Sequence, residues 1–541
     1  MAHFTHEKPK LTEGGERIYK DQEERLDHLK AGKARLLEEL SKIESAMADP
    51  VQERRESLYT ASHISVLPNE TLSTLFHEFQ SATRATGKPM LPQAEIILSH
   101  VCSHWRALVL SLPTMWCVFH RDGKVQDGMR LGLDSKTEAR LAAYLDRSGQ
   151  HPFDFWVEFA FTGPKSQQPL SAPLLTIIRP HLHRFRVFHL LSGAQQLPEE
   201  FREMLAMASV PLLEVCAICP DLQISDAECL NSSGTEVDVF QGGAPSLKYL
   251  LLDETSLFVI QPPLFQTVVD LRIERRQVAS PAYIPNTVLA ELFALPNLQT
   301  LSLFCDLFDI QVAGGGAVPG KPILARNLKH IRTAGTYLTV YLYSHVLAPS
   351  LESIALGRLT GDSGGEIGEM FPHVLERIPN HTAFPSLRIV ALTGAWIGYE
   401  NDLQALQIIM SATPNVEELI FWRGPAYTKP NGIFRTLLGA NNWGPSFWAK
   451  IKKATLSMPF SDPTEIGYYH QFIQAKPDLE VLRVPPGCLQ LTAFTEGVPS
   501  HIHVQAIEES ERPLPLCWVP GPEGMDTGEE DPFVRDCRIF S

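Results

Sequence analysis

Leu298-Gln-Thr-Leu301-Ser-Leu303 decides the fold. Its apolar residues stand at i, i+3 and i+5, and the last two alternate about a polar residue as in a short strand. The spacing returns in Leu247-Lys-Tyr-Leu250-Leu-Leu252, Leu351-Glu-Ser-Ile354-Ala-Leu356 and Leu387-Arg-Ile-Val390-Ala-Leu392, often after Pro-Ser or Pro-Asn. Weaker copies start at Phe185, Leu213, Val268, Leu328, Val416, Ile451 and Leu479. The eleven starts lie 21 to 36 residues apart. Such a period marks a solenoid, in which one unit cannot bury its own apolar face and stacks on the next. The i+3 and i+5 residues are expected to point inward from one short strand per unit, with stacked strands pairing edge to edge. A surface for binding is the usual product of such an array, and a catalytic pocket is rare.

Working outward, helical patterns precede several of these strands. Residues 136–147 read as a helix with Leu141, Tyr144 and Leu145 on one face, stopped by Ser148-Gly149. Phe153, Phe155, Val157 and Phe159 then alternate as a strand. The order repeats with Val288, Leu289 and Leu292, with Leu403, Leu406 and Ile409, and with Ile466, Tyr469 and Phe472. The array is expected to span residues 136–505 in an α/β arrangement. Residues 508–541 lack the pattern and are rich in proline, glycine and acid, as suits a solvated tail.

Upstream lies a compact apolar block at 64–119. Pro68 opens a helix where a missing N–H costs nothing, and Leu72, Leu75, Phe76 and Phe79 follow on one face. A polar loop from about Gln80 to Pro92 leads to a second helix with Ile97, Val101, Trp105 and Leu108 on one face. Pro113 ends it and Trp116 follows. So small a unit cannot hide this much apolar surface and must dock on a partner or on the array. Before it, in residues 21–49, Leu26, Leu29, Lys33, Leu36, Leu40, Ile43 and Met47 step by three and four, which is heptad spacing broken at Lys33. This is either an amphipathic helix packed on the next domain or a coiled-coil dimer. The packed helix is the expectation, because short isolated coils are marginal. Pro50 is expected to end it.

Composition narrows the function. A chain of 541 residues needs several domains or one elongated array. Its net charge of -15 argues against general nucleic-acid binding. Nine irregularly spaced cysteines do not read as a disulfide framework and fit a reducing compartment, cytoplasmic or nuclear. The first residues show no apolar signal segment, and no run approaches the ~20 apolar residues of a membrane span. Cys537 stands fifth from the end, one place off a prenylation box.

The block at 64–119 resembles an F-box. The matching pieces are Leu67-Pro68-Asn69-Glu70-Thr-Leu72-Ser-Thr-Leu75-Phe76, then Leu98-Ser99-His100-Val101-Cys102-Ser-His-Trp105-Arg106-Ala-Leu108, then Leu112-Pro113-Thr114-Met115-Trp116. With a heptad helix in front and irregular leucine-rich repeats behind, the chain is similar to the large F-box family of mushroom-forming fungi. The fold class implied is α/β: a small all-helical F-box domain followed by an irregular leucine-rich-repeat solenoid. Two departures stand out. The loop between the F-box helices is long, and no asparagine or cysteine ladder follows the strands, those positions being Asp221, Thr255, Asp306, Leu359 and Ala395.

The resemblance implies that the F-box binds the Skp adaptor, and through it a cullin–RING ubiquitin ligase, while the repeats bind a protein substrate. Leu67, Pro68, Leu72, Leu75, Phe76, Val101, Trp105 and Leu108 are the candidate adaptor-binding residues, shared between that contact and the packing of the F-box itself. No catalysis, cofactor, metal, nucleic acid or membrane is implied. The competing readings are an interaction scaffold with no ligase role and an enzyme whose site lies between repeats.

Other motifs carry less. Gly315 to Lys321 has phosphate-loop spacing, but Pro322 replaces the required hydroxyl. Cys216 and Cys219 have metal spacing, yet Cys216 sits in a core slot and Cys229 completes no site. His100 and His104 share a helix without the metalloprotease glutamate, and His181, His183, His501 and His503 are isolated. Arg272, Arg275 and Arg276 form a basic cluster, as do Arg184 and Arg186. Each is either a solvated strand face or a contact for an acidic segment or phosphate. No Gly-x-Ser-x-Gly elbow or other nucleophile–base set is recognisable.

Overall fold

The computed structural model describes residues 13–61, 64, 67–85, 93–121, 135–159, 172–192, 199–220, 240–252, 265–274, 286–304, 322–334, 336–357, 384–393, 409–410, 412–422, 448–457 and 463–507. The chain divides into two units, Met1–Phe76 and His77–Ser541.

The first unit is dominated by one helix, Glu13–Ala61. It does not stop at Pro50 as expected. A proline costs a helix one backbone bond and a local clash, and here the 49-residue helix runs on past it. Leu26, Leu29, Leu36, Leu40 and Ile43 of the heptad seam are 50 to 68% exposed. The unit ends in the first turns of the helix Asn69–Ala85. That helix continues to Ala85, so the loop expected from Gln80 begins later, and residues 86–92 lie outside the described residues.

Among the described residues the second unit is organised by one parallel sheet of fourteen strands that pair in chain order. They are β1 (Val118–Arg121), β2 (Phe153–Phe159), β3 (Phe185–Ser192), β4 (Val215–Pro220), β5 (Tyr249–Leu252), β6 (Asp270–Glu274) and β7 (Thr300–Phe304). A two-stranded side pair interrupts the numbering, β8 (Ile323–Leu324) with β10 (Val346–Leu347). The main sheet continues with β9 (His330–Ala334), β11 (Ser353–Gly357), β12 (Ile389–Thr393) and β13 (Glu418–Trp422). It closes with β14 (Lys453–Leu456), β15 (Val481–Val484) and β16 (His503–Ala506). Chain-order parallel pairing over so many strands is the leucine-rich-repeat manner of stacking.

All eleven starts lead into strands, ten of them two residues before the strand begins and Phe185 at its first residue. The register aligns the i+3 residues Leu250, Leu271, Leu301, Ile331, Ile354 and Val390, and the i+5 residues two places on. Leu301, Leu303 and Leu356 have no exposed surface. At the start of the sheet phenylalanines take the leucine places: Phe119 stacks on Phe155 at 6.2 Å and Phe155 on Phe188 at 5.3 Å. Helices close the other side of this core with Leu289, Leu292, Tyr341, Tyr469 and Phe472, all buried.

Two strands of the main sheet were harder to foresee. β2 appears where alternation placed it, but β1 and β16 carry no full repeat signature. The Ser and Asn just before the repeat leucines, in Pro245-Ser246, Pro296-Asn297 and Arg326-Asn327, acquire a physical meaning. Ser246 Oγ donates to the Pro211 carbonyl at 2.7 Å, Asn297 Nδ2 to Gln266 at 2.7 Å and Asn327 Nδ2 to Pro296 at 2.6 Å. Each bond ties a repeat to its predecessor. The ladder positions Asp221, Thr255, Asp306, Leu359 and Ala395 lie outside the described residues, as do residues 508–541.

Candidate functional site

The F-box-like block does not fold as two plain helices. The expected second helix is broken into Ala94–Ser99 and Ser103–Ser111. Cys102 stands extended between them and caps the latter, its Sγ accepting from the Trp105 N–H at 3.4 Å. Ile97 and Val101 therefore do not share a helix with Trp105 and Leu108. Leu112-Pro113 opens a tight 3-10 turn, Pro113–Trp116, which leads directly into β1.

This stretch is built into the start of the solenoid. Gln80 Nε2 donates to Glu95 at 3.1 Å and to the Met115 carbonyl at 2.9 Å. Trp116 Nε1 donates to the Val109 carbonyl at 2.9 Å. The helix Ser135–Arg147 then clamps it. Tyr144 hydrogen-bonds both Gln93 and Glu95 and meets the Trp116 ring edge-on at 5.0 Å. Burial, together with the Glu95 carboxylate, pushes the Tyr144 phenol well above its ordinary pKa, so it stays a donor. Arg147 lies over the Trp116 ring at 4.3 Å and Arg140 over Phe119 at 4.7 Å. Gln93 Nε2 also donates to the His120 carbonyl at 3.3 Å, so residues 93–117 both lead into the first strand of the sheet and hold its backbone.

The candidate adaptor-binding residues separate by exposure. Leu72 and Phe76 are buried, as is Gln80 one turn further on. Leu67, Trp105 and Leu108 are half-buried. Pro68 is exposed, Leu75 is 45% exposed and Val101 55%. Phe79 and Leu110, absent from the sequence-based set, are also exposed. The apolar face of Asn69–Ala85 is therefore two ridges. The one through Leu72 and Phe76 turns inward, and the one through Leu75 and Phe79 outward. Residues four apart share a ridge, but spacing alone does not say which ridge is covered.

The repeats carry a second face, made by the residues between the leucine columns. Over the first strands it is apolar, with Trp156, Val187, Val215, Ala217 and Leu251 packed together. Over β6 to β11 it turns polar, with Asp270, Arg272, Thr300, Ser302, Arg332 and Ser353 side by side in register. All six are buried, so this stretch is not an open groove. Arg272 Nε meets Asp270 Oδ1 at 3.3 Å, and Ser353 Oγ bonds His330 Nδ1 at 2.9 Å. Burial lowers the His330 pKa, keeping the ring neutral at pH 7. Toward the end of the sheet the face is half-buried at Glu418, Lys453, Val481 and Arg483, as it is at Tyr249, His330 and Ile389, and among the described residues it is exposed at His503 in the last strand.

The rim where the chain enters the strands is charged in alternation. Backbone bonds align Arg186, Glu214 and Lys248, and later Lys329, Glu352, Arg388, Glu417, Lys452 and Glu480. Glu417 meets both Arg388 and Lys452 at 3.4 Å. Opposite charges on neighbouring strands cancel, so this rim offers no field of one sign to an anionic partner.

Both basic clusters prove structural where described. Arg184 is buried and donates to Ser148 Oγ, the His151 carbonyl and the Leu145 carbonyl at 2.7 to 3.0 Å. Arg186 forks onto both oxygens of Asp154 at 2.6 and 2.9 Å. Arg275 and Arg276 lie outside the described residues. Cys216 is fully buried, and desolvation drives its thiol pKa far up, which suits a small core residue. The Cys219 side chain, Cys229 and residues 315–321 are not among those described. Among the described residues no cluster of histidine, cysteine or carboxylate could hold a metal, and no helix is long and apolar enough to cross a membrane.

No family model matches the sequence, and no curated protein matches it significantly. Solved structures do match. One is a chain of the "Crystal structure of TLR13-ssRNA13 complex", at 12% identity and a TM-score of 0.31, over 65% of this chain and 43% of that one. The chain thus spans less than half the length of that neighbour.

Proposed function

We propose that the chain is the substrate-recognition subunit of an SCF-type cullin–RING ubiquitin ligase. The F-box-like block binds the Skp adaptor, the adaptor joins the cullin, and the repeats hold a protein substrate. The supporting observation is that apolar side chains at motif positions remain in water: Leu75 on the first unit and Val101 on the second. A side chain kept apolar and exposed inside a recognisable motif fits a partner better than it fits the core. The chain itself catalyses nothing on this reading; it raises the effective concentration of substrate beside a ubiquitin carrier. The end of the second face, where Val481 and Arg483 are half-buried and His503 is exposed, is the substrate surface.

The test is co-purification of the full chain with the Skp adaptor and cullin, against Leu75→Asp/Val101→Asp. Both positions are exposed, so the charges leave the fold intact, which circular dichroism checks. Removing residues 64–119 is a poorer control, because it cuts into β1 and removes the buried Phe119. Capture of the wild type and at least tenfold weaker capture of the variant is expected, since a few central apolar residues carry most of such a contact. No capture of the folded wild type would sink the receptor reading and leave an interaction scaffold. Ubiquitination of a bound partner separates receptor from scaffold once capture is seen.

A further inference from the structure

The heptad seam of Glu13–Ala61 asks for a partner. Leu26, Leu29, Leu36, Leu40 and Ile43 stand in one line, and Leu37 beside them is 56% exposed. A period of three and four is the spacing at which side chains of one helix fill the gaps of another. The remaining faces carry mixed charges, including the pairs Lys30–Asp27 at 3.1 Å and Lys42–Glu38 at 2.7 Å. That mixture suits water on the outer side and not an anionic lipid surface, which selects a basic face.

We infer that the seam is closed by the same seam of a second copy of this chain, with the two helices antiparallel. The pattern is nearly symmetric when reversed about the point between Ala34 and Arg35. Leu26 then meets Ile43 of the copy, Leu29 meets Leu40, and Lys33 meets Leu36. Each of these positions faces an aliphatic side chain, and the stem of Lys33 packs while its ammonium reaches water. In the parallel arrangement Lys33 faces Lys33 of the copy inside the seam, and Arg25 flanks Lys30. Those like-charge contacts repel and select the antiparallel form. Dimerisation does not depend on adaptor binding, and it delivers two recognition units per assembly.

Sedimentation velocity of the full chain at micromolar concentration tests this. The wild type is expected to sediment with twice the chain mass and Leu29→Glu/Leu40→Glu as a monomer of unchanged helicity. Leu29→Glu/Leu40→Lys is expected to restore the dimer, because each new carboxylate meets a new ammonium only when the helices oppose. Mild oxidation of Leu26→Cys/Ile43→Cys should then cross-link chains beyond the wild-type level, while Leu26→Cys alone should not. A monomeric wild type, or a dimer that survives Leu29→Glu/Leu40→Glu, overturns the inference. Efficient cross-linking of Leu26→Cys alone overturns the antiparallel arrangement.

Discussion

The N-terminal helix and the solenoid both carry regular leucines, and they use them in opposite ways. Leu301 and Leu303 are wholly buried between neighbouring strands, whereas Leu29 and Leu36 are 65 and 68% exposed. In the repeats each leucine finds its partners one unit up and one unit down the same chain. In the helix the leucines stand exposed. A leucine pattern therefore says that burial is required, and its period says with whom: neighbours within the array, or another helix.

The largest effect should come from moving one charge between these regions. Leu301→Asp places a carboxylate in a packed column and is expected to cost more than ~4 kcal/mol, enough to unfold adjacent repeats. Leu36→Asp is expected to leave the unfolding midpoint of the solenoid unchanged and to alter only self-association. Urea melts followed by circular dichroism distinguish the two. Equal losses would erase the contrast.

A smaller effect concerns a charge the solenoid already accepts. Lys476 is buried, with Nζ 3.4 Å from the Trp448 carbonyl, and desolvation lowers its pKa to about 8. From there up to the ordinary lysine value, the unfolded chain keeps a proton that the folded chain has lost. Stability of the wild type therefore rises with pH across that window. Lys476→Met removes the charge, so it should be more stable than the wild type by about 1 kcal/mol at pH 7. The gap should close as pH climbs from 8 past 10. Paired melts at pH 7 and 10 measure it, and a gap that widens with pH would contradict the cause given.

The smallest effect lies on the rim. Glu417→Lys replaces two attractions, to Arg388 and Lys452, with repulsions at exposed positions. It should cost roughly 0.5–1 kcal/mol at low salt and less as salt is added. A loss independent of salt would mean that Glu417 acts through packing.

The repeats were legible in the sequence because their signature is local. Leu-x-x-Leu-x-Leu carries a strand and its inward face within six residues. β1 and β16 escaped for the same reason: His503-Val-Gln-Ala506 offers one valine and one alanine where other repeats show two large aliphatics. The candidate site was legible only in part. Leu72, Leu75 and Phe76 look alike in sequence, and tertiary packing decides that Leu75 stays in water. Val101 was misplaced because Cys102 interrupts an apolar pattern that otherwise reads as one helix. Arg184 and Arg186 were left between a solvated strand face and an anion contact, since partners 32 to 39 residues away leave no local trace. Pro50 misled in the other direction, its local rule being overridden within a long helix.

Hydrogen exchange of the full chain, read by mass spectrometry over a thousandfold dilution, tests the contrast between the two leucine patterns most directly. Amides of the main-sheet strands from β2 to β15 should show the same strong protection at every concentration. Amides of residues 20–45 should be protected when the chain is concentrated and exchange rapidly when it is dilute. Protection of the helix that ignores dilution, or strand protection that depends on it, would contradict the division between a solenoid that buries its own leucines and a helix that borrows a partner's.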